Sequence, residues 1–171
     1  MDTINKRRLA AAFVVAAGSL GTGVALAGGG SARSSGPDRL YANSQAFAHA
    51  TARVHVVHTG NEGTHVTLHI VGVDAPAGQT FGAHVHQSRC GATGAAAGPH
   101  YHGSTVGPLE DREIWLDFTV NADGIGHAEA SRPWSLDETT QHSVIIHALP
   151  TNPLTGLAGA RLACIDLDGH P

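Results

Sequence analysis

Two histidines one residue apart could do chemistry in the stretch FGAHVHQSRC, residues 81–90. In an extended strand the side chains alternate between faces, so His84 and His86 point to one side and Val85 to the other. Two imidazoles on one face can be a solvated strand surface, or they can be two ligands of one metal ion. Because 13 of the 171 residues are histidine, the pair alone does not decide between these alternatives.

Further histidines lie in a long loop and at the end of a strand. The loop, residues 87–112, contains AGPHYH, and a histidine also ends the apolar segment SVIIHA. Alone, the latter is more typical of a core position than of a ligand. A histidine-rich site without thiolate suits copper(II) or zinc, and copper binds more tightly by the Irving–Williams order. Four imidazoles lie in loops and strand ends that a disulfide could bring together: His84, His86, His100 and His147.

The segments that must position these histidines alternate between apolar and polar residues and are separated by turn signals. After the N-terminal stretch, no segment has a convincing helical period. Seven or eight short strands with regular turns predict an all-β antiparallel sandwich or Greek-key barrel, with functional loops at 87–112 and 149–159. The predicted strands are 52–58, 64–73, 79–86, 113–120, 125–131, 142–148 and 160–167.

In the predicted strand 64–73, the histidines are better explained as surface residues than as metal ligands. Val66 and Leu68 lie on one face of the strand, and His65 and His69 lie on the other. A strand with one apolar and one polar face packs its apolar face on the core. We therefore expect these two imidazoles to be solvated.

The N-terminus has the pattern of an export signal. Basic residues at 6–8 precede an apolar, small-residue run at 9–27 that ends in Ala-Leu-Ala, which predicts a signal peptide over 1–27 rather than a membrane anchor. A flexible leader is predicted for 28–45, and the folded domain for 46–171. We expect the protein to be secreted or in the cell envelope, with no membrane span once the signal is removed.

Charge and cysteine content narrow the function further. The net charge is −4 and 14% of residues are charged, so no basic patch is available and nucleic acid is excluded as an expected partner. Two cysteines in an exported chain, Cys90 and Cys164, favour a disulfide over free thiols.

Four strings then suggest a family. GAHVHQSRC, AGPHYH, IIHA and GLAGARLAC occur in the order and roughly the spacing of the copper–zinc superoxide dismutases, and the last resembles the family's G-x-A-G-x-R-x-A-C ending. The resemblance spans about residues 50–167. It implies an eight-stranded Greek-key β-barrel and a copper enzyme that disproportionates superoxide to dioxygen and hydrogen peroxide.

The resemblance also assigns roles to individual residues. It makes His84, His86 and His147 copper ligands, and His100 the histidine that bridges copper and zinc. Arg161 matches the arginine beside the copper that binds the anionic substrate. Cys90 and Cys164 match the disulfide that pins the loop to the barrel.

The zinc half of the family's site is missing. After His100, only His102 follows within the span that holds the family's other zinc ligands. Nearby Glu110, Asp111 and Glu113 are oxygen ligands, whereas structural zinc prefers nitrogen and sulfur. We therefore predict a copper-only site, with zinc doubtful, in which Glu113 or Glu110 accepts a hydrogen bond from the remote N–H of a ligand.

The loop 149–159 lacks the charges that guide superoxide in the family, which predicts a more open site with weaker steering. Two other functions remain compatible with the sequence. One is a non-catalytic copper-binding or copper-buffering envelope protein on the same fold. The other is a zinc hydrolase, for which no HxxEH-type motif is present.

Overall fold

Two antiparallel four-stranded sheets form the framework of the described residues, confirming the all-β prediction. The computed structural model describes residues 31–59, 63–137 and 139–167. Its short helical segments are 3₁₀ turns at Gln45–Phe47 and Gly94–Ala97 and the α-helix Leu109–Arg112 (α1). The strands in the described ranges are β1 (Ser31–Gly36), β2 (Arg39–Leu40), β3 (Thr51–Thr59), β4 (Gly63–Val71), β5 (Thr80–Phe81), β6 (Ala83–His86), β7 (Phe118–Thr119), β8 (Gly126–Arg132), β9 (His142–His147) and β10 (Arg161–Leu167).

The first sheet, in the order β1-β3-β4-β8, follows the alternation of its sequence. On β4, Val66, Leu68 and Ile70 are fully buried in the core, while His65 is half-buried and His69 is exposed. Burial of alternate apolar residues fixes the register, since a shift of one residue would expose the whole apolar set. The predicted faces of this strand are therefore confirmed.

In the second sheet, ordered β2-β10-β9-β6, the strands β6 and β9 are covered on both faces. Every residue of β9 is buried. Val144 and Ile146 enter the main core, and Ile145 packs on the outer side against Ala97 and Cys164. Ala97 belongs to the long loop 87–112, so this loop covers the outer face of the sheet.

The segment predicted as a strand over 113–120 is mostly irregular. Only Phe118–Thr119 (β7) pairs in a ladder, with β5, although Ile114 and Leu116 are buried as the alternation predicts. Leu116 N–H donates to Ala83 O, and Val85 N–H donates to Ile114 O. The backbone thus follows the edge of β6 with few bonds and without a regular ladder.

The segment predicted as a flexible leader, 28–45, includes two strands in the part that the structure describes. Ser31–Gly36 pairs with β3 along six residues, and Arg39–Leu40 pairs with β10. Backbone groups of edge strands form a template for any extended chain, whatever its side chains. Sheet edges therefore order a serine- and glycine-rich segment that composition alone marks as flexible.

The predicted signal peptide lies outside the described residues. Among the residues that are described, no helix is long and apolar enough to cross a membrane.

Candidate metal centre

Neighbouring strands and one returning loop bring four histidines together. His84 and His86 lie on β6, whose antiparallel partner β9 ends at His147. The loop returns beside β6, where the backbone of His100 pairs with that of His86 in an isolated antiparallel β-bridge. One ligand atom from each of the four imidazoles lies within 4.8 Å of the others. Three of the rings are buried, and the fourth, His100, is half-buried.

Backbone carbonyls hold the outer nitrogens of two of these rings. His86 donates from Nδ1 to Gly98 O at 2.9 Å, and His147 donates from Nδ1 to Gly159 O at 3.2 Å. A neutral imidazole carries one N–H, so the Nε2 atom of each ring presents a lone pair to the centre. Hydrogen bonds of this kind fix the orientation and tautomer of metal-binding histidines.

The third ring is held by side chains. His84 Nε2 donates to Thr151 Oγ1 at 2.6 Å, and Thr151 Oγ1 donates to Asp117 Oδ1 at 2.6 Å. His84 Nδ1 is buried without a hydrogen-bond partner among the described residues. An unpartnered buried polar atom carries a desolvation cost, which a metal ion bound there would remove.

A buried carboxylate holds the fourth ring. Glu113 Oε2 accepts from His100 Nδ1 at 2.7 Å and from Trp115 Nε1 at 2.6 Å, and Glu113 Oε1 accepts from His102 Nε2 at 2.8 Å. Burial alone would raise the pKa of Glu113, but the hydrogen bonds from His100 and Trp115 outweigh it and lower the pKa. Glu113 therefore stays ionised, and His100 Nε2 faces the centre with a lone pair.

The contact between His86 and His147 indicates that the centre suits a cation. Their Nε2 atoms are 3.4 Å apart, and each carries a lone pair because the Nδ1–H of each ring is already donated to a carbonyl. Two facing lone pairs repel unless a cation lies between them. Ligand nitrogens about 2 Å from one tetrahedral ion are roughly 3.4 Å apart. The residues present therefore fit a metal ion.

The protonation states also fit a metal. Burial is the largest cause that lowers the pKa of His84 to about 2, of His86 to about 3 and of His147 to about 4, and the charge of Arg161 adds to each shift. All three imidazoles are consequently neutral at pH 7. Metal binding requires neutral histidine, so no proton has to be expelled from these rings first.

Arg161 lies beside the centre at the start of β10, opposite His147 in the sheet register. Its half-buried guanidinium donates to Gly94 O and, at 2.8 Å, to Gly98 O. The carbonyl of Gly98 thus accepts from both Arg161 and His86. The peptide group of Gly98 therefore fixes the position of the Arg161 guanidinium relative to the histidine centre.

Gly98 gives a test of this shared carbonyl. Its φ of 73° and ψ of −164° lie in a region that only glycine adopts readily. We expect Gly98→Ala to cost about 1–3 kcal/mol of stability and to weaken metal binding, because the carbonyl must shift. Gly78→Ala is the matched control, since Gly78 has a φ of 90°, is exposed and has open space around its Cβ position. Denaturant unfolding and metal titration of both variants measure the effect, and equal metal affinity in the two variants would contradict it.

A disulfide pins the loop that supplies these groups. Cys90 is bonded to Cys164 on β10. Beside it, Asp166 accepts from the Cys90 backbone N–H at 2.6 Å and forms an ion pair with Arg89 at 3.2 Å. The start of the loop is therefore fixed to the second sheet, from which the chain continues to Gly94, Gly98 and His100.

The structure brings together the four histidines named from the sequence, and it places around them several residues that were not predicted. Of the two carboxylates proposed as acceptors, Glu113 contacts a histidine of the centre, and Glu110 lies on α1. His102, which follows His100 by two residues, also donates to Glu113. Asp117 and Thr151 were not predicted, since nothing in their local sequence distinguishes them from other polar loop residues.

The fold and the site together define an all-β protein with a buried four-histidine centre beside a half-buried arginine. No protein-family profile matches the chain, and no curated protein has a detectably similar sequence. Solved structures nevertheless share the fold. A superoxide dismutase-like protein from Bacillus subtilis aligns at 17% identity with a TM-score of 0.57, over 81% of this chain and 99% of that one.

Two further structures agree with that fold. The clock protein EA4 aligns at 17% identity with a TM-score of 0.54, over 80% of this chain and 94% of that one. A variant of superoxide dismutase 5 from Candida albicans aligns at 18% identity with a TM-score of 0.50, over 84% of this chain and 94% of that one. The chain therefore has the β-sandwich fold of superoxide dismutase-like proteins.

Proposed function

We propose that the protein is an exported superoxide dismutase that uses one copper ion and no zinc. The observation that carries this proposal is the convergence of four imidazole lone pairs at a buried point beside a fixed guanidinium. His84 contributes through Nδ1, whereas His86, His100 and His147 contribute through Nε2. The disulfide and the signal-like N-terminal sequence support a location outside the cytosol.

The donor set supports copper as the resident metal. Neutral imidazole suits copper and zinc, and copper is the tighter binder in the Irving–Williams order. The chemistry that bound copper would supply is one-electron transfer between two superoxide anions, which with two protons gives dioxygen and hydrogen peroxide. This role follows the resemblance noted in the sequence and the names of two structural neighbours.

The protein's own residues prepare the site for a small anion. Arg161 carries a permanent positive charge beside the centre, and its guanidinium cannot turn away while Gly94 O and Gly98 O accept from it. A fixed charge in a partly buried site attracts and orients an anion without reorganisation. Glu113 keeps the proton of His100 on Nδ1, so Nε2 remains available on the side of the centre.

In this proposal Glu113 orients His100 by a hydrogen bond in place of zinc. Both carboxylate oxygens are used, one by His100 and Trp115 and the other by His102. His102 Nδ1 in turn accepts from Arg112 at 3.1 Å. Hydrogen bonds therefore orient His100 from the side on which the family places its second metal.

Metal content tests the copper-only arrangement. Protein loaded from an equimolar mixture of copper and zinc is expected to retain one copper and little zinc per chain after dialysis, measured by elemental analysis. The reason is that the groups beside His100 are already hydrogen-bonded to each other. Stoichiometric zinc retained alongside copper would show that Glu113, His100 and His102 form a second metal site.

Arg161 tests whether the centre is an enzyme. Arg161→Ala is expected to lower the rate of superoxide dismutation by about tenfold or more, as one positioned charge contributes roughly 1–2 kcal/mol. Copper affinity should remain nearly unchanged, because the guanidinium is not a ligand. Arg161→Lys is the control and should recover part of the rate, since it keeps the charge and loses only the planar fork. Pulse radiolysis gives the rate constants, and titration gives the affinity.

The same experiment addresses the alternative of a copper-buffering envelope protein. The loop 149–159 favours that alternative, because it exposes Leu149, Leu154 and Leu157 where guiding charges would help an enzyme. A copper-loaded protein that is no faster than free copper ions would support buffering. An active protein that is indifferent to Arg161 would show that the arginine has another role.

A further inference from the structure

A second pair of histidines lies on the outer face of the first sheet. His69 on β4 and His127 on β8 are directly opposite each other in the antiparallel register. Both side chains are exposed, and their ring centres are 6.3 Å apart with an angle of 58° between the ring planes. Among the described residues, these two rings contact each other and make no hydrogen bond or ion pair. Their nitrogens are therefore available to a ligand.

The spacing of the pair suits a shared ion. Side chains opposite each other on antiparallel strands have Cβ atoms about 4.5–5.5 Å apart, so both imidazoles start from adjacent points of a rigid backbone. A metal ion lies about 2 Å from each coordinating nitrogen, which places the two ring centres roughly 5–6 Å apart. A small side-chain rotation therefore brings both rings onto one ion without any movement of the sheet.

The surrounding charges are balanced. Arg53 on β3 is the other cross-strand neighbour of His69, and it is unfavourable to a cation. Glu129 follows His127 by two residues, so it lies on the same face and is favourable to one. Glu129 also approaches His65 Nε2 at 3.8 Å. The pair thus lies between one positive and one negative neighbour, and its affinity depends mainly on the two imidazoles.

We propose that His69 and His127 form a second, weaker site for a divalent transition-metal ion that prefers imidazole, with copper(II) as the strongest binder of the series. This site is separate from the four-histidine centre. Leu68 and Ile70, the neighbours of His69 on β4, point into the core, while the centre belongs to the second sheet. Packed sheets are about 10 Å apart, so the two sites cannot share an ion.

Copper(II) titration of the whole protein tests the site. Wild-type protein and the His69→Ala and His127→Ala variants are titrated by calorimetry, and electron paramagnetic resonance follows each added equivalent. Each variant is expected to lose the same weak equivalent, with at least a tenfold fall in its affinity. His49→Ala, which removes another exposed imidazole, is the control and should retain it.

The comparison is independent of the proposed function, because it measures the difference between wild type and variant whether or not the four-histidine centre takes copper. Loss of one equivalent in both variants supports the shared ion. Unchanged binding in either variant overturns the proposal, because a single ion shared by two rings cannot survive the loss of one. The absence of any weak equivalent in the wild-type protein overturns it as well. Thermal unfolding of the exposed-site variants should match the wild type, which confirms that all of them are folded.

Discussion

Replacing His84 or His147 by alanine is expected to abolish tight copper binding and, with it, dismutation. Loss of a partner that only orients a ligand typically lowers metal affinity about 10–100-fold, so loss of a ligand should exceed about a hundredfold. The His84 variant removes Nδ1, which is buried without a hydrogen-bond partner in the described chain. The His147 variant removes one of the two Nε2 atoms that face each other at 3.4 Å. Competition with a chelator of known affinity, monitored by copper absorption, measures both.

A matched variant separates this effect from general damage. His65 lies on the outer face of β4, where its Nδ1 is 2.9 Å from Ser131 Oγ. His65→Ala should leave the tight copper site and the dismutation rate unchanged. If the His65 and His147 variants lost copper equally, the assignment of the inner and outer histidines would be wrong. Circular dichroism of each variant shows whether the sheets are intact.

Removal of the disulfide is expected to have the largest effect on stability. The bond between Cys90 and Cys164 joins residues 74 positions apart. Closing a loop of this length stabilises the folded state by about 4 kcal/mol in the chain-entropy model. The double variant Cys90→Ser, Cys164→Ser should therefore lose about that much free energy of unfolding in urea, measured on metal-free protein.

The same variant should also weaken the metal centre. The released loop carries His100 and the Gly94 and Gly98 carbonyls that hold Arg161. A matched comparison is Asp166→Asn, which disturbs the bonds of Asp166 to Cys90 and Arg89 but keeps the disulfide. A double-cysteine variant as stable as the wild type would show that packing alone holds the loop 87–112 against β10.

Local sequence was sufficient for the faces of the regular strands, though not for the irregular segment 113–120 or for β1 and β2. The alternation of Val66 and Leu68 with His65 and His69 predicted which side of β4 is buried, because side chains alternate strictly along a strand. The spacing of His84 and His86 placed both on one face for the same reason. These predictions hold because they depend on periodicity, which is a property of the backbone and needs no distant partner.

Tertiary structure alone decided the chemistry of the centre. Which nitrogen of each imidazole faces inward depends on Gly98, Gly159 and Thr151, which are 12, 12 and 67 residues from the rings they hold. The choice of Glu113 over Glu110 likewise depends on how the loop folds back. Serine- and glycine-rich residues of the leader became β1 because β3 offered an edge to pair with. In each case the deciding contact joins residues brought together only by the fold, and no local pattern encodes it.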